Sequence, residues 1–293
     1  MTRRFLESAR ADAYHKQGYL FPVAAISPAE AEGLRRETED LLDRTCDQPH
    51  VFQYTFNVPH LVLPGVHALV RDSRILDPVE SLMGPDLLLW SAGYFIKEPH
   101  TTDFVGWHQD LRYWGLDDDS REITAWIALG DVARENGAMR FMPGSHRHGI
   151  VEHRDTWQDS NQLSRGQELA VDVDEKQAVD VELKSGEMSL HHGNLYHSSP
   201  ANGSASRRIG LALRFISPEM RQVVGQVDYA TLVRGEDRFR HFRPEPEPVF
   251  DLDPAGLCRI DAMLREMNTY YYAGAEEKAP ELGVRHVRSR QDA

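Results

Sequence analysis

Cysteine and long apolar runs are both scarce in this sequence of 293 residues. It contains two cysteines, Cys46 and Cys258, so a disulfide framework is not expected and a reducing compartment is favoured. No uninterrupted apolar run approaches the roughly 18 residues that a membrane-spanning helix requires. The arginines near the N-terminus are not followed by the apolar segment of a secretory signal. We therefore expect a soluble cytoplasmic protein with no membrane partner.

Positive charge is also in deficit. The chain has 33 Lys and Arg against 46 Asp and Glu, a formal net charge of −13. Such a surface repels nucleic acid unless a local basic cluster intervenes, and none is evident. No internal repeat and no Ser/Gly-rich linker divides the chain. We expect one domain over residues 1–275, a flexible charged tail over residues 276–293, and a monomer or homodimer.

Helical signals lie near the two ends of the chain. Ser27, Pro28 and Glu30 form a capping box that predicts a helix extending to about residue 45. A second helical region is expected over residues 66–83, interrupted at Pro78. Periodic apolar residues predict a last helix over residues 254–272.

Between these regions the sequence is typical of short strands separated by turns. Apolar and β-branched runs predict strands over residues 18–23, 87–96, 104–108, 122–129, 138–142, 187–191 and 208–216. Residues 151–176 are polar, lack periodicity and are expected to leave the sheet as a long excursion. Many short strands with helices at both ends favour a mainly β fold, either a β-sandwich or a jelly roll.

Three side chains form a candidate metal site: His108, Asp110 and the distant His197. If the chain is extended at residues 108–110, His108 and Asp110 project to the same side. Two imidazoles and one carboxylate on one face hold non-haem Fe(II) and leave further coordination positions open. His-x-Asp alone is weakly specific in a chain with 14 histidines, so a hydrogen-bonded strand histidine is the alternative for His108.

Arg208 stands at the head of an apolar strand, a position that predicts burial. A buried guanidinium needs an anionic partner. The distal carboxylate of 2-oxoglutarate would supply one through a bidentate contact. An internal salt bridge is the alternative.

At this point the sequence resembles the phytanoyl-CoA dioxygenase family over roughly residues 14–250. The resemblance rests on GWHQDLRYW (residues 106–114), WIAL (126–129), ENG (135–137), MPGSH (142–146) and the segment 197–208, in the family's order and spacing. It implies a double-stranded β-helix (a cupin-like jelly roll) and an oxygenase that uses Fe(II), 2-oxoglutarate and dioxygen.

The resemblance also implies roles for individual residues. The iron ligands would be His108, Asp110 and His197. Arg208 would bind the distal carboxylate of 2-oxoglutarate, supported by Ser199, with Trp126 as an aromatic wall and Gln109 beside it. A plain core aromatic is the alternative for Trp126. The residues expected to border the substrate are Arg112, Tyr113, Trp114, Trp90 and Gln53, although a solvated surface charge is the alternative for Arg112.

We therefore expect an enzyme that hydroxylates or otherwise oxidises a C–H bond of a small molecule in secondary metabolism, releasing succinate and CO2. Halogenating relatives carry Ala or Gly where this chain has Asp110, so chlorination is disfavoured. The alternatives are a non-catalytic binding protein and an oxygen-independent cupin-like metal protein. Because His191 and His192 are adjacent on a predicted strand, at most one of them should face the metal.

Overall fold

The computed structural model describes residues 6–117 and 120–271. The tail predicted for residues 276–293 lies outside this range, and the division into a single domain stays a prediction. The helices are α1 (Ser8–Gln17), α2 (Pro28–Thr45), α3 (Pro49–Asn57), α4 (Pro59–Val62), α5 (Pro64–Leu69), α6 (Ser73–Met83) and α7 (Pro254–Tyr271).

The capping box at the start of α2 is present. The Ser27 hydroxyl accepts a hydrogen bond from the Glu30 backbone N–H at 3.2 Å, and the Glu30 carboxylate accepts one from the Ser27 N–H at 2.7 Å. These two bonds satisfy backbone donors that a helix start leaves unpaired. The predicted N-terminus of α2 is confirmed.

Pro78 does not interrupt its helix, and this prediction was wrong. The break falls between α5 and α6, where the Asp72 carboxylate caps α6 by accepting from the Arg74 N–H at 2.9 Å. Pro78 lies inside α6 among the buried residues Leu76 and Val79. Burial of this apolar face offsets the one backbone hydrogen bond that proline removes.

The strands form two main sheets and a hairpin. The strands are β1 (Tyr19–Ala24), β2 (Leu87–Lys97), β3 (Val105–His108), β4 (Glu122–Ala128), β5 (Met139–Phe141), β6 (His153–Asp155), β7 (Gln167–Leu169), β8 (Val179–Val181), β9 (Glu187–His191), β10 (His197–Ser199), β11 (Arg208–Ile216), β12 (Tyr229–Arg234) and β13 (Arg243–Pro244). One sheet has the order β1-β9-β4-β11-β2-β12-β13, and the other has the order β3-β10-β5-β8.

The polar segment 151–176 is more ordered than expected. It contains the antiparallel pair β6 and β7, and β7 lies against β3. Each of these strands has three residues, too few for an alternating pattern to stand out. The sequence also does not reveal β8, β10 and β13, which have three residues or fewer, nor the six-residue strand β12.

The core divides into two parts. A large cluster packs the helices against the seven-stranded sheet, with Ile75, Leu89 and Phe215 at its centre. A smaller cluster joins the two sheets and includes Trp126 from β4 and Phe141 from β5. The predicted mainly β jelly roll with flanking helices is confirmed. Among the helices described here, none is long and apolar enough to cross a bilayer.

Candidate metal centre

The structure brings His108, Asp110 and His197 together. One donor atom from each lies within 4.8 Å of the other two, and all three residues are buried. Nε2 of His108 is 3.4 Å from Oδ1 of Asp110, and Nε2 of His197 is 4.0 Å from the same oxygen. The three donors therefore converge on one point, as a single metal ion requires.

Strand pairing places the two imidazoles. His197 in β10 is the direct cross-strand partner of His108 at the end of β3, and directly opposed residues have neighbouring side chains. Gln109 is extended, with φ −120° and ψ 128°, so Asp110 emerges on the side of His108. Asp110 itself begins a 3-10 turn over residues 110–113 rather than continuing the strand.

Backbone carbonyls orient both rings. Nδ1 of His108 lies 2.9 Å from the Gly106 carbonyl oxygen, and Nδ1 of His197 lies 3.0 Å from that of Leu195. A carbonyl can only accept, so Nδ1 carries the hydrogen and Nε2 keeps its lone pair for a metal. Both rings are thus held in the tautomer that ligation needs.

The electrostatics keep the donors in their ligating forms. Burial, followed by the neighbouring His108, lowers the pKa of His197 well below its usual range, so this imidazole is neutral. Burial alone would raise the pKa of Asp110, but Arg214 and the two histidines hold it well below its usual range. A charged carboxylate beside two imidazoles is a donor set suited to Fe(II).

Arg208, Ser199 and Trp126 line the same small cavity as the three metal donors, a space of about 30 Å³. The Arg208 guanidinium donates to the Gly137 carbonyl at 2.8 Å and lies 5.3 Å from the centre of the Trp126 ring system. The Ser199 hydroxyl is 3.3 Å from an Arg208 nitrogen. The cavity thus places a buried guanidinium and a hydroxyl near the metal donors.

Gln109 does not share this cavity. Its amide NH2 donates to the carbonyls of Gly149 and Asn194 at 2.8 and 2.7 Å, and its oxygen accepts from the Val151 N–H at 2.9 Å. The side chain therefore joins the loops behind the metal donors. The structure therefore does not bring Gln109 to the cavity that Arg208 and Trp126 line, and its role in binding 2-oxoglutarate stays a prediction.

A second cavity of about 150 Å³ opens on the other side of His108 and Asp110. Three of the predicted substrate residues, Trp90, Tyr113 and Trp114, line it. Arg112 and Gln53 do not line it, so the structure does not bring these two predicted residues to the cavity. Arg112 is exposed in the 3-10 turn, whereas Gln53 is buried in α3.

Arg214, which is not among the residues predicted from the sequence, lines both cavities. Its Nε is 3.7 Å from Oδ2 of Asp110. Arg208, Gly210, Ala212 and Arg214 alternate along β11, so they share one face of the strand. This alternation of two arginines with small residues between them is a signal that could have identified Arg214.

His191 faces the metal donors and His192 does not. The His191 ring lies 5.0 Å from the His197 ring, and neither of its nitrogens has a hydrogen-bond partner among the described residues. Burial lowers the pKa of His191 to about 4. On the opposite side, His192 lies 3.0 Å from Glu122. The geometry agrees with the expectation that only one of the pair faces the metal.

Two facing β-sheets with two histidines and a carboxylate between them define a jelly-roll protein of the non-haem metal-dependent type. The sequence profile of the phytanoyl-CoA dioxygenase family matches residues 14–210. The chain therefore belongs to this family, and the predicted resemblance is confirmed.

Individual relatives agree with this assignment. The chain is 29% identical over 174 residues to a probable alpha-ketoglutarate-dependent hypophosphite dioxygenase of Stutzerimonas stutzeri, covering 58% of this chain and 59% of that protein. It is 30% identical to the phytanoyl-CoA dioxygenase domain-containing protein 1 of Danio rerio, covering 67% of this chain and 85% of that protein. The solved structure of a non-heme monooxygenase, ThoJ, superposes with a TM-score of 0.82 at 35% identity, covering 90% of this chain and 97% of that one.

Proposed function

We propose that the protein is an Fe(II)- and 2-oxoglutarate-dependent oxygenase that hydroxylates a C–H bond of a small molecule. In the overall reaction, substrate, 2-oxoglutarate and O2 give hydroxylated substrate, succinate and CO2. One observation carries the proposal: the donors of His108, Asp110 and His197 meet beside the buried Arg208. The name of the Stutzerimonas stutzeri relative includes alpha-ketoglutarate dependence, which supports the same cosubstrate here.

The three donors would hold the iron, which supplies the capacity to activate dioxygen while 2-oxoglutarate is decarboxylated. The residues fit this ion because they offer two imidazole nitrogens and one anionic oxygen. They also form a set of three, and a set of three leaves positions open for cosubstrates. The backbone bonds to Nδ1 of both histidines fix the ligand geometry.

Arg208 and Ser199 would bind the distal carboxylate of 2-oxoglutarate. Arg208 is only 2% exposed, so a carboxylate there is bound away from competing water. The Trp126 indole covers the guanidinium and excludes solvent from the same space. These residues bind and orient the cosubstrate and take no proton from it.

Asp110 supports hydroxylation over chlorination. Its carboxylate occupies the position that the resemblance leaves open for chloride in halogenating relatives. Thr124 at 3.4 Å and Arg214 at 3.7 Å hold its second oxygen. The cavity of about 150 Å³ suits a small substrate. The proposed function includes a role in secondary metabolism.

The complete set of donors with Arg208 also favours an enzyme over the two alternatives, a non-catalytic binding protein and an oxygen-independent metal protein. The test is to add Fe(II) and then 2-oxoglutarate to the metal-free protein under nitrogen and record the visible metal-to-ligand charge-transfer band. Oxygen is admitted next and succinate is quantified. We expect the charge-transfer band to appear when 2-oxoglutarate is added and succinate to form after oxygen is admitted. A band without succinate would favour an oxygen-independent protein, and absence of both would contradict the proposal.

A further inference from the structure

The guanidinium of Arg214 lies where the two cavities meet. Both cavities are lined by Phe95, His108, Asp110 and Arg214. Among the described residues, Arg214 is therefore the arginine that faces both the metal donors and the larger cavity. Its side chain is 14% exposed, so the charge is largely withdrawn from bulk water.

Aromatic rings flank this guanidinium, and its Nε has no hydrogen-bond partner among the described residues. Its central carbon is 5.7 Å from the centre of the Phe95 ring and 5.9 Å from that of Trp114. The distance of 3.7 Å from Nε to Asp110 is too long for a hydrogen bond. Nε therefore has no hydrogen-bond partner among the described residues. A guanidinium carries five N–H donors, so an oxyanion entering from the cavity would find an oriented fork.

The balance of charge points to the same ligand. If the proposed function holds, Fe(II), the Asp110 carboxylate, the 2-oxoglutarate dianion and the Arg208 guanidinium cancel one another. With Arg214, the ion-pair partner of Asp110, included, this largely buried site then carries one excess positive charge, a state that costs free energy. The other acidic side chain that lines the larger cavity is Glu245, and its Oε2 is already bound by Thr231 and His60 at 2.6 and 3.0 Å.

Much of the remaining wall of the larger cavity is apolar, although Ser164 and Gln167 also line it. The Trp90 and Trp114 rings lie 4.9 Å apart, and Met263 and Leu264 from α7 contribute to the same wall. A ligand that satisfied Arg214 would therefore place an uncharged, apolar or aromatic body against these side chains.

We propose that the substrate is an organic acid whose carboxylate is bound by Arg214 and whose apolar body occupies the larger cavity. This inference rests on the proposed function, because it assigns the substrate class of that same site. Arg214 would thereby hold the acid next to the metal donors and determine specificity for anionic substrates.

The test uses phenylacetate and its uncharged isostere phenylacetamide as probes. Each is titrated under nitrogen into the protein loaded with Fe(II) and saturating 2-oxoglutarate. Binding is followed as a shift of the charge-transfer band, whose persistence shows that the probe has not displaced 2-oxoglutarate. We expect phenylacetate to bind about 10- to 100-fold more tightly, as for a hydrogen-bonded charge pair. Arg214→Gln should abolish this preference, and Arg112→Gln, an exposed arginine outside the cavity, should leave it unchanged.

If Arg214→Gln loses its iron, Arg214→Lys keeps the charge and should retain a reduced preference for the acid. Equal binding of the two probes, binding of neither, or an unchanged preference in the Arg214 variants would overturn the inference. A preference for hypophosphite over phenylacetate would also overturn it, because hypophosphite has no apolar body. Absence of the band in the wild-type protein contradicts the proposed function instead, so the two failures are distinguishable.

Discussion

A Cβ atom added to Gly210 would lie 1.7 Å from Cζ2 of Trp126. The indole therefore lies directly on the backbone of β11, and only a residue without a side chain permits this approach. Arg208 is two residues away on the same face, and its guanidinium lies over the same indole. The shape of the proposed 2-oxoglutarate site thus depends on a glycine that binds nothing itself.

Gly210→Ala should displace Trp126 and disturb the site. We expect a loss of about 1–3 kcal/mol in the free energy of unfolding, as for overpacking of a buried position, and weaker binding of 2-oxoglutarate. Denaturant unfolding and titration of the charge-transfer band measure the two effects. Gly203→Ala is the matched control, because its nearest contact would be 3.7 Å away. If the two variants had the same free energy of unfolding and the same affinity for 2-oxoglutarate, the close contact between Gly210 and Trp126 would not be what shapes the site.

Arg208→Ala should weaken 2-oxoglutarate binding by about 2–5 kcal/mol, since it removes one partner of a buried charge pair. The affinity is obtained by titrating the Fe(II)-loaded protein under nitrogen. Arg140→Ala serves as the control, because Arg140 forms an ion pair with Glu175 at 2.6 Å outside the metal cavity. An unchanged affinity in the Arg208 variant would remove this residue from the site.

His108→Ala and His197→Ala should each abolish both iron binding and succinate formation. Each change removes one of three ligands and leaves a set too small to hold the ion. Iron content after loading and desalting provides a readout independent of turnover. His192→Ala is the control, since His192 pairs with Glu122 rather than facing the metal donors. Normal iron content in either ligand variant would disprove its assignment.

Lys97 should make the stability of the protein depend on pH. Burial, followed by repulsion from Arg208, lowers the pKa of Lys97 from its usual value of 10.5 to about 6. Between these values the unfolded chain binds a proton that the folded protein does not, so the free energy of unfolding rises with pH from about 6 to about 10. Below about 6 both states are protonated and this contribution to the slope disappears.

Lys97→Met should remove that contribution. The difference in the free energy of unfolding between the variant and the wild type should therefore change with pH between about 6 and about 10 and become constant below about 6. Denaturant unfolding at several pH values measures this difference. A difference that stays constant across the window would show that Lys97 keeps its charge in the folded state. The contacts of its amino group with the Ser199 and Pro200 carbonyls would then stabilise the charged form.

Much of the fold was predictable from local patterns. The start of α2 follows from a capping box within four residues, and strands such as β2 and β11 are long enough for their apolar character to stand out. Pro78 was misjudged because the burial of its helix depends on partners that local sequence does not specify. The three-residue strands β6, β7 and β10 are defined by the strands beside them rather than by their own residues.

Some features of the candidate site were likewise predictable from the sequence, and others depend on the tertiary structure. The sequence alone determined the types and order of the donor residues, His108, Asp110 and His197, and the presence of an arginine at the head of β11, because these are properties of short segments. Only the tertiary structure decided that His197 pairs with His108, that the buried Gln109 bonds to loop backbone groups and that Arg214 lines both cavities. Those relationships depend on the register between strands far apart in the chain, and packing of the whole molecule sets that register.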